Sequence, residues 1–360
     1  MSRTMALLRC LALIGLFSVS AGQAQTLSRC RATPPMSPNA KPGVAGLSVS
    51  RDGKTVVVAG GDAKIRFVDI TTGLVQKTFT GHTNAIYRAI FSADERLLAS
   101  SSRDLTARVW DVSSGREILK INGFRCSVKA VAFSPDSRTV AATGNDGMVK
   151  LYDLKTGKES ASLVHINSAD VDMSVYSIVF GRDGQKIYAA NGDGTISEWD
   201  VNAGRETRVW KAHDHTSHKL AFNRDYSLLA SLGDSVLRLW DTATWREVRS
   251  FSTACAPNAA PLPSGDVAFS PDGNLVAASN VGLDQKQTSY LCVQTLVWKV
   301  NTGEKIFTIE GQKFDVDGVA FSQDDRFLLT GSVDTTIKFW DMKSGLLSKT
   351  LTIPPNEKAQ

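Results

Sequence analysis

The chain has 360 residues with nearly balanced charge: 41 Lys and Arg stand against 36 Asp and Glu, for a formal net charge of +5. Basic and acidic residues alternate without a basic tract, which argues against a nucleic-acid partner, since nucleic-acid-binding surfaces cluster Lys and Arg. The length suits one large domain or two ordinary ones, and the internal repeats described below favour one.

Residues 1–24 have the pattern of a secretory signal peptide. Two arginines precede an apolar run of ten residues, and small residues follow up to Ala24. This order of basic, apolar and small residues is typical of a cleavable leader. Ten apolar residues are too few to cross a bilayer core of roughly 30 Å as a helix. We therefore predict cleavage after Ala24 and a periplasmic or secreted protein without an integral membrane segment.

Residues 25–43 follow the leader and contain four of the eleven prolines but few apolar side chains. Such a composition predicts an extended, Pro-rich N-terminal linker rather than a packed element. Runs of strand-forming residues begin at Val44 and continue to about residue 353, and residues 354–360 are predicted to form a C-terminal tail.

The sequence between Val44 and residue 353 contains seven copies of one unit. Each copy has an acidic turn residue near its start and closes on an aromatic residue that Asp usually follows. The acidic turn residues are Asp52, Asp94, Asp136, Asp183, Asp225, Asp272 and Asp324, at spacings of 42, 42, 47, 42, 47 and 52 residues. A period near 42 residues indicates a supersecondary unit that buries its apolar faces only against its neighbours.

Each unit contains four short runs rich in β-branched and aromatic residues, bounded by Asp, Gly or Ser, which predict four strands. In the second unit the runs lie at 86–92, 96–102, 106–112 and 116–121. The first run is apolar on both faces and the fourth alternates with charge. This pattern predicts a covered inner strand and an exposed outer strand.

The repeats resemble WD repeats, and the chain resembles a seven-bladed β-propeller of the WD-repeat, G-protein β-like family. The resemblance covers residues 44–353 and rests on the marks FVDI, VWDV, LYDL, EWDV, LWDT, VWKV and FWDM. It implies an all-β fold of seven blades, each a sheet of four antiparallel strands, around a central channel. In this family an N-terminal strand usually completes the last blade. Here LLSKTLTI (346–353) already supplies that outer strand, so we predict closure by packing between blades one and seven.

The resemblance also implies a buried network of His, Ser or Thr, Asp and Trp in each blade, which is stabilising when all its members are paired. The residues assigned to this structural network are His82, Ser102, Asp104 and Trp110 in the second repeat, and Ser332, Asp334 and Trp340 in the seventh. Other repeats have non-matching residues, with Phe124, Ala254 and Gln312 at the His place and Gly144 and Leu232 at the Ser place.

Two positions per repeat face the top rim of the channel in this family. They imply a binding surface made of Tyr87, Arg103, Lys129, Asn145, Tyr176, His218 and Asp317, with Ala45 and Ser264 at the equivalent rim positions of blades one and six. Tyr, Arg and Lys together are typical of the anchors of protein interfaces. The insertions that lengthen the period fall before blade four and in blade six, all on this top face, which favours binding there.

A histidine-rich loop supports an alternative function. His213, His215 and His218 lie in one loop, and the insertion before blade four adds His165, Asp170 and Asp172. Imidazoles and carboxylates bind divalent metals, so the alternative is a metal-dependent ligand binder or enzyme. The sequence contains no nucleophile elbow, phosphate loop or dinucleotide turn. We therefore predict no catalytic residues, no cofactor and no metal.

Five cysteines bear on the compartment. Cys10 leaves with the leader, and neither it nor Cys30 follows the small residues of a lipid-attachment site. The remaining Cys30, Cys126, Cys255 and Cys292 allow two disulfides in three pairings. Cys255 and Cys292 both fall in insertions of blade six, which favours that pair and leaves Cys30 with Cys126.

We thus expect an exported, non-catalytic scaffold that binds a protein or peptide through its top face and is monomeric on its own. A further alternative is a structural subunit of an envelope complex, which contacts its partners through the side or bottom of the propeller.

Overall fold

The computed structural model describes residues 41–165, 173–254, 260–261, 265–283, 290–312 and 314–354. These residues form 29 β-strands and no helix, and so the described chain has no helix that is long and apolar enough to span a membrane. The strands make seven separate sheets in chain order. The all-β, seven-bladed propeller predicted from the repeats is confirmed.

The strands of the first three blades are all five to seven residues long. Blade one contains β1 (Val44–Val49), β2 (Thr55–Gly60), β3 (Ile65–Asp69) and β4 (Val75–Phe79). Blade two contains β5 (Ile86–Phe91), β6 (Leu97–Ser102), β7 (Ala107–Asp111) and β8 (Glu117–Ile121). Blade three contains β9 (Val128–Phe133), β10 (Thr139–Gly144), β11 (Met148–Asp153) and β12 (Lys158–Val164).

The strands of the last four blades include two that are longer. Blade four contains β13 (Val175–Phe180), β14 (Lys186–Asn191), β15 (Thr195–Asp200) and β16 (Arg205–Lys211). Blade five contains β17 (Lys219–Phe222), β18 (Leu228–Gly233), β19 (Val236–Asp241) and β20 (Glu247–Ser252). Blade six contains β21 (Ala260–Pro261), β22 (Val267–Phe269), β23 (Leu275–Leu283), β24 (Tyr290–Lys299) and β25 (Lys305–Ile309). Blade seven contains β26 (Val316–Phe321), β27 (Phe327–Ser332), β28 (Thr336–Asp341) and β29 (Leu347–Thr352).

The acidic turn residues that set the repeat period occupy the turn between the first and second strands of each blade. In blade two the Ser92 hydroxyl donates to the Asp94 carboxylate at 2.6 Å and in turn accepts the Leu97 N–H at 3.0 Å. Short polar side chains that bond local backbone groups in this way fix a tight turn. We call the end of the propeller with these turns the bottom and the end where each first strand begins the top.

Blade six carries an extra element on the top side. Its β23–β24 pair is nine and ten residues long, and the register runs from Leu275 opposite Lys299 to Leu283 opposite Tyr290. The short strand β21 pairs with the top end of β23. Part of the insertions predicted in blade six is therefore a three-stranded extension. The rest of them, and residues 166–172 before blade four, lie outside the described residues.

The apolar core lies between neighbouring sheets. Phe67 of blade one, for example, packs in one cluster with Ile86 and Trp110 of blade two. Second strands such as β2 are buried along nearly their whole length because a blade covers each of their faces. Burial of one such side chain stabilises the fold by about 1.5–3 kcal/mol, so each blade depends on both neighbours.

The ring closes by packing between blades one and seven. Val44 and Leu47 of blade one share a cluster with Phe339 and Leu351 of blade seven. The Lys349 ammonium of β29 donates to the backbone carbonyls of the turn after β3, at 2.8 and 2.5 Å. Within the described chain, β29 is the outer strand of blade seven and no N-terminal strand replaces it. The packing of blade one on blade seven and the C-terminal outer strand agree with the prediction, whereas residues 1–40 lie outside the described residues.

The closure predicts unequal effects for two leucines of β29. Leu351 is 7% exposed at the interface with blade one, whereas Leu347 is 48% exposed on the same strand. Leu351→Ala should lower the free energy of unfolding by about 2–5 kcal/mol, because it removes buried methyl groups and leaves a cavity. Leu347→Ala should change it by no more than about 0.5 kcal/mol. Denaturant titration of both variants measures this, and equal effects would contradict the closure described here.

Candidate functional site

Blade two contains a complete polar network, but its hydroxyl is not the one assigned from the sequence. His82 bonds the Asp104 carboxylate through Nδ1 at 2.8 Å and the Ser100 hydroxyl through Nε2 at 2.7 Å. The Trp110 Nε1–H donates to the same hydroxyl at 2.9 Å. Ser102 instead donates to backbone carbonyls of the loop before β5. The two serines lie two residues apart on one strand face, so residue type alone does not distinguish them.

The same two-residue correction applies to blade seven. Gln312 takes the place of His and donates from Nε2 to the Thr330 hydroxyl at 2.8 Å, and Trp340 donates to that hydroxyl at 2.9 Å. Ser332 donates to the Phe314 carbonyl at 3.3 Å and lies outside this network. The Asp334 carboxylate accepts bonds from Thr336 within its own turn.

Blade five also has a hydroxyl in the network, contrary to the sequence assignment of Leu232 to that place. His213 Nε2 lies 2.9 Å from the Ser231 hydroxyl, and the Trp240 Nε1–H donates to it at 2.9 Å. Burial lowers the pKa of His213 to about 4, which keeps the ring neutral at physiological pH. Ser231 lies nine residues before Trp240, whereas Ser100 lies ten before Trp110. The turn between β18 and β19 is thus one residue shorter, which reduces the two-residue correction to one residue here.

His165 has a structural environment in blade four that the sequence did not indicate. Its ring lies between two carboxylates, with Nε2 3.3 Å from Asp193 and Nδ1 3.2 Å from Glu206. Burial disfavours the protonated ring, but the bonds to the two carboxylates outweigh burial and raise its pKa to about 9. His165 is therefore a charged histidine that holds the outer strand of blade four to the turn after β14.

The histidines of the proposed metal cluster lie in separate environments. His213 belongs to the blade-five network, His215 is exposed, and the ring of His218 faces Tyr176 at 5.7 Å. Asp170 and Asp172 lie outside the described residues. Among the residues that are described, no group of three or more His, Cys, Asp or Glu side chains is arranged to hold a metal ion.

The His165 environment predicts a pH dependence of stability. The folded-state pKa of about 9 exceeds the ordinary value of 6.5. The stabilisation is therefore complete below pH 6.5 and is lost as pH rises through 9. His165→Gln should cost roughly 1–3 kcal/mol more at about pH 6 than at about pH 9.5. Urea unfolding at both pH values tests this, with His215→Gln as the exposed control. A cost that is the same at both pH values would contradict it.

Five of the seven residues predicted for the top face surround one cavity at the top mouth of the channel. The cavity has a volume of about 220 Å³, and these five are Tyr87, Lys129, Tyr176, His218 and Asp317. The Lys129 ammonium lies 4.0 Å from the centre of the Tyr87 ring, a distance typical of a cation–π contact. Each of the five lies at or next to the start of the first strand of its blade, so blades two to five and blade seven all contribute.

The other two predicted residues lie away from this cavity. Arg103 and Asn145 occupy the turns between the second and third strands, where their N–H groups bond backbone carbonyls of the preceding loops at 2.9 and 3.1 Å. Arg103 is exposed and Asn145 is half-buried. The position predicted for the rim of blade six is Ser264, and its described neighbour Gly265 lines the cavity. Ser264 lies outside the described residues.

A second layer of channel residues lies below the rim and was not predicted from the sequence. We call seven of the residues that line the cavity, one from each blade, the rim ring: Ala45, Tyr87, Lys129, Tyr176, His218, Gly265 and Asp317. The residues that follow them form the second ring: Gly46, Arg88, Ala130, Ser177, Lys219, Asp266 and Gly318. The one-residue offset from the rim was the available signal. Three of these seven side chains are charged, and they lie next to the channel axis.

Arg88 and Asp266 form an ion pair across the channel. The guanidinium of Arg88 in blade two makes two parallel bonds to the Asp266 carboxylate before β22, at 2.9 and 2.7 Å. Asp266 is 1% exposed and also accepts the Val319 N–H of blade seven at 3.2 Å. Such bidentate pairs are geometrically specific. One carboxylate thus connects blades two, six and seven.

The lower part of the channel contains a larger cavity of about 450 Å³. Arg88 and Ser177 line its inner end, and aromatic side chains including Phe91, Phe222 and Tyr226 line it toward the bottom face. Its lining residues follow the rim ring along the first strands toward the bottom turns, and the two cavities share none of their lining residues.

Comparison with known families agrees with this architecture. A family profile described as "WD domain, G-beta repeat" matches residues 73–111, 115–153, 162–200, 204–241 and 303–341, more than half of the chain. The protein belongs to the WD40 family. Each match ends at the last residue of a third strand, so the matched blades are two, three, four, five and seven. Apart from the outer strands β4 and β25, the profile does not match blade one or blade six, which carries the top-side extension.

Individual relatives match over parts of the chain. The COMPASS component SWD3 of Saccharomyces cerevisiae is 29% identical over 143 residues, 39% of this chain and 42% of the relative. Protein FIZZY-RELATED 2 of Arabidopsis thaliana is 29% identical over 137 residues, 37% of this chain and 23% of the relative. Eukaryotic translation initiation factor 3 subunit I of Pyricularia oryzae is 33% identical over 88 residues, 24% of this chain and 23% of the relative. The chain thus spans less than half the length of each.

Proposed function

We propose that this protein is a non-catalytic scaffold that binds a protein or peptide through the top face of its propeller. The observation that carries the proposal is the convergence of Tyr87, Lys129, Tyr176, His218 and Asp317 on one cavity at the channel mouth. The names of two WD40 relatives, a COMPASS component and an initiation factor subunit, describe members of multi-protein assemblies. Those assemblies are theirs, and the partner of this chain is unidentified.

The chemistry of the rim supports a protein partner. Tyr87 and Tyr176 present aromatic rings that are half-buried, and the adjacent Lys129 and exposed Arg103 add cationic groups. Tyr and Arg are enriched among the residues that dominate protein interfaces. Because strand ends and tight turns fix these side chains, little conformational freedom is lost when a partner binds.

The histidine environments favour a non-catalytic role over the metal-dependent alternative. His82 and His213 are bonded within their blade networks, and His165 is held between two carboxylates. His218 packs edge-on against Tyr176. These contacts account for the four buried histidines as parts of the fold and of the rim.

We further propose that the protein is exported to the periplasm or the extracellular space after removal of residues 1–24. The leader pattern supports this, and we propose that the cysteines remaining after cleavage, Cys126 and Cys292 among them, form two disulfides. Disulfides persist in oxidising compartments. Cys30 and Cys255 lie outside the described residues, so the pairs Cys255–Cys292 and Cys30–Cys126 belong to the proposal.

Export and pairing can be tested in one experiment. The full-length chain is expressed in a Gram-negative host, and the soluble periplasmic fraction is digested under non-reducing conditions for mass spectrometry. We expect a mature N-terminus at Gln25 and two cross-linked peptides joining Cys255 to Cys292 and Cys30 to Cys126. The first bridge closes a loop of about 37 residues and should stabilise the fold by about 2–4 kcal/mol. An uncleaved cytoplasmic product would contradict export, and other cross-links would contradict the pairing.

The binding proposal predicts that a top-face variant loses its partner. Tyr87→Ala, Arg103→Ala and Tyr176→Ala are combined in one protein, and partners are cross-linked and captured from an envelope fraction. Loss of these anchors should weaken the complex by more than about 1 kcal/mol, a Kd increase of at least about fivefold. Titration of the captured partner against wild-type and variant protein measures the change.

A bottom-face variant provides the matched control. Arg96→Ala and Arg138→Ala change side chains that are 85% and 84% exposed beside the turns after β5 and β9. This control should retain the partner. If the bottom-face variant loses it while the top-face variant retains it, the protein is better described as a structural subunit that binds through its bottom.

A further inference from the structure

The second ring contains two cationic side chains, Arg88 and Lys219, but one carboxylate, that of Asp266. Arg88, Lys219 and Asp266 occupy equivalent positions of three inner strands. Arg88 occupies both carboxylate oxygens of Asp266, and the Val319 N–H takes a further bond. The Val267 N–H also donates to this carboxylate at 3.0 Å, so its oxygens are bonded by other donors and Lys219 attracts Asp266 only at longer range. Within the described chain, the Lys219 ammonium has no hydrogen bond and no ion pair within 4.0 Å, although it lines the 220 Å³ cavity.

The rim ring leaves a carboxylate in the same condition. Asp317 of blade seven lines the cavity with Asp315 beside it. In the described part of the chain no cation lies within 4.0 Å of the Asp317 carboxylate and no donor bonds it. Lys219 and Asp317 attract each other across the cavity without making contact. Burial lowers the pKa of Lys219 and raises the pKa of Asp317, so each charge is solvated less well than on the surface.

Two separated opposite charges in one small cavity define the ligand that would complete it. Unpaired charges in a partly buried site are costly unless a partner supplies the missing bonds. We propose that the channel-mouth cavity binds a small zwitterion of amino-acid type, with its carboxylate at Lys219 and its ammonium at Asp317. This inference does not rest on the proposed protein partner, because the separated charges of Lys219 and Asp317 define the ligand whether or not a protein also binds at the rim.

The remaining lining fits such a ligand. A cavity of about 220 Å³ is smaller than the roughly 300–1,000 Å³ of sites for drug-sized molecules. Tyr87 and Tyr176 supply aromatic faces against which a short methylene chain can pack. Lys129 is already held over the Tyr87 ring, and Asp315 reinforces the anionic side. A purely anionic or cationic ligand would satisfy one of the two groups and leave the other unpaired.

The experiment compares probes that differ only in charge. Calorimetric titrations of the full mature protein use glycine, β-alanine, γ-aminobutyrate and ε-aminocaproate, which place the two charges at increasing separation. Butyrate and butylammonium are single-charge analogues of γ-aminobutyrate. We expect at least one zwitterion to bind about tenfold or more tightly than both analogues, because it makes a second ion pair. One zwitterion spacing should be preferred over the others.

Two variants assign the charges. Asp317→Asn should weaken the preferred zwitterion about tenfold and leave butyrate binding unchanged or tighter. Lys219→Met should weaken the zwitterion similarly and leave butylammonium binding unchanged or tighter. A misfolded protein would lose all probes alike, so this crossed pattern separates ligand contact from structural damage. Lys155→Met and Asp214→Asn make the same chemical changes at exposed positions and should have no effect.

The proposal is overturned if no zwitterion binds with a Kd below about 10 mM, or if zwitterions and single-charge analogues bind equally. It is also overturned if the two variants fail to show opposite preferences. Zwitterionic groups of a bound protein are a second source of the same chemistry. If a bound protein supplies the zwitterionic group, the preferred free zwitterion should compete with the captured partner. If the natural ligand is a free small molecule, the zwitterion and the partner should bind without competition. Capture of a partner without zwitterion binding would refute this inference and leave the scaffold proposal standing.

Discussion

Closure of the ring is the constraint on which the rest of this structure depends. Each sheet buries its apolar faces only against the sheets on either side, so blades one and seven must pack together as tightly as any other pair. The shared cluster of Val44, Phe339 and Leu351 and the bonds from Lys349 accomplish this. Once the ring is closed, the inner strands converge, and side chains from sequence-distant blades meet on the axis. The candidate site is a consequence of that convergence.

The polar interactions have two different roles in the closed ring of blades. Networks such as His82, Ser100 and Trp110 act within one blade and fix the second and third strands against the loop that leads in. The Arg88–Asp266 pair acts between blades, across the channel. A buried ion pair is weak grounds for a stability argument, since desolvation offsets much of the attraction. The Arg88–Asp266 pair has a clearer geometric effect, because Arg88 bonds both oxygens of the single carboxylate of the second ring. Lys219 is left facing the upper cavity.

The sequence predicted the repeat and the seven blades because these depend on local pattern, and its resemblance to WD repeats predicted most of the rim. Turn residues, strand propensity and the 42-residue period are all readable within one unit. It failed where two equivalent residue types lie two positions apart, as with Ser100 and Ser102 or Thr330 and Ser332. It also failed at His165, whose partners Asp193 and Glu206 are 28 and 41 residues away. A histidine beside an insertion resembles a metal ligand until its carboxylate neighbours are located.

By itself, the sequence determined the fold, the number of blades, the C-terminal source of the last outer strand and five of the residues around the channel mouth. The repeat and the number of blades follow from periodicity, whereas the rim positions and the source of the outer strand follow from the resemblance to WD repeats. Only the tertiary structure decided which of those residues share a cavity and which charges are paired. Arg88 and Asp266 are 178 residues apart, and no local pattern relates them. Their contact, and the unpaired charges of Lys219 and Asp317 above it, exist because a closed ring brings distant blades to one axis.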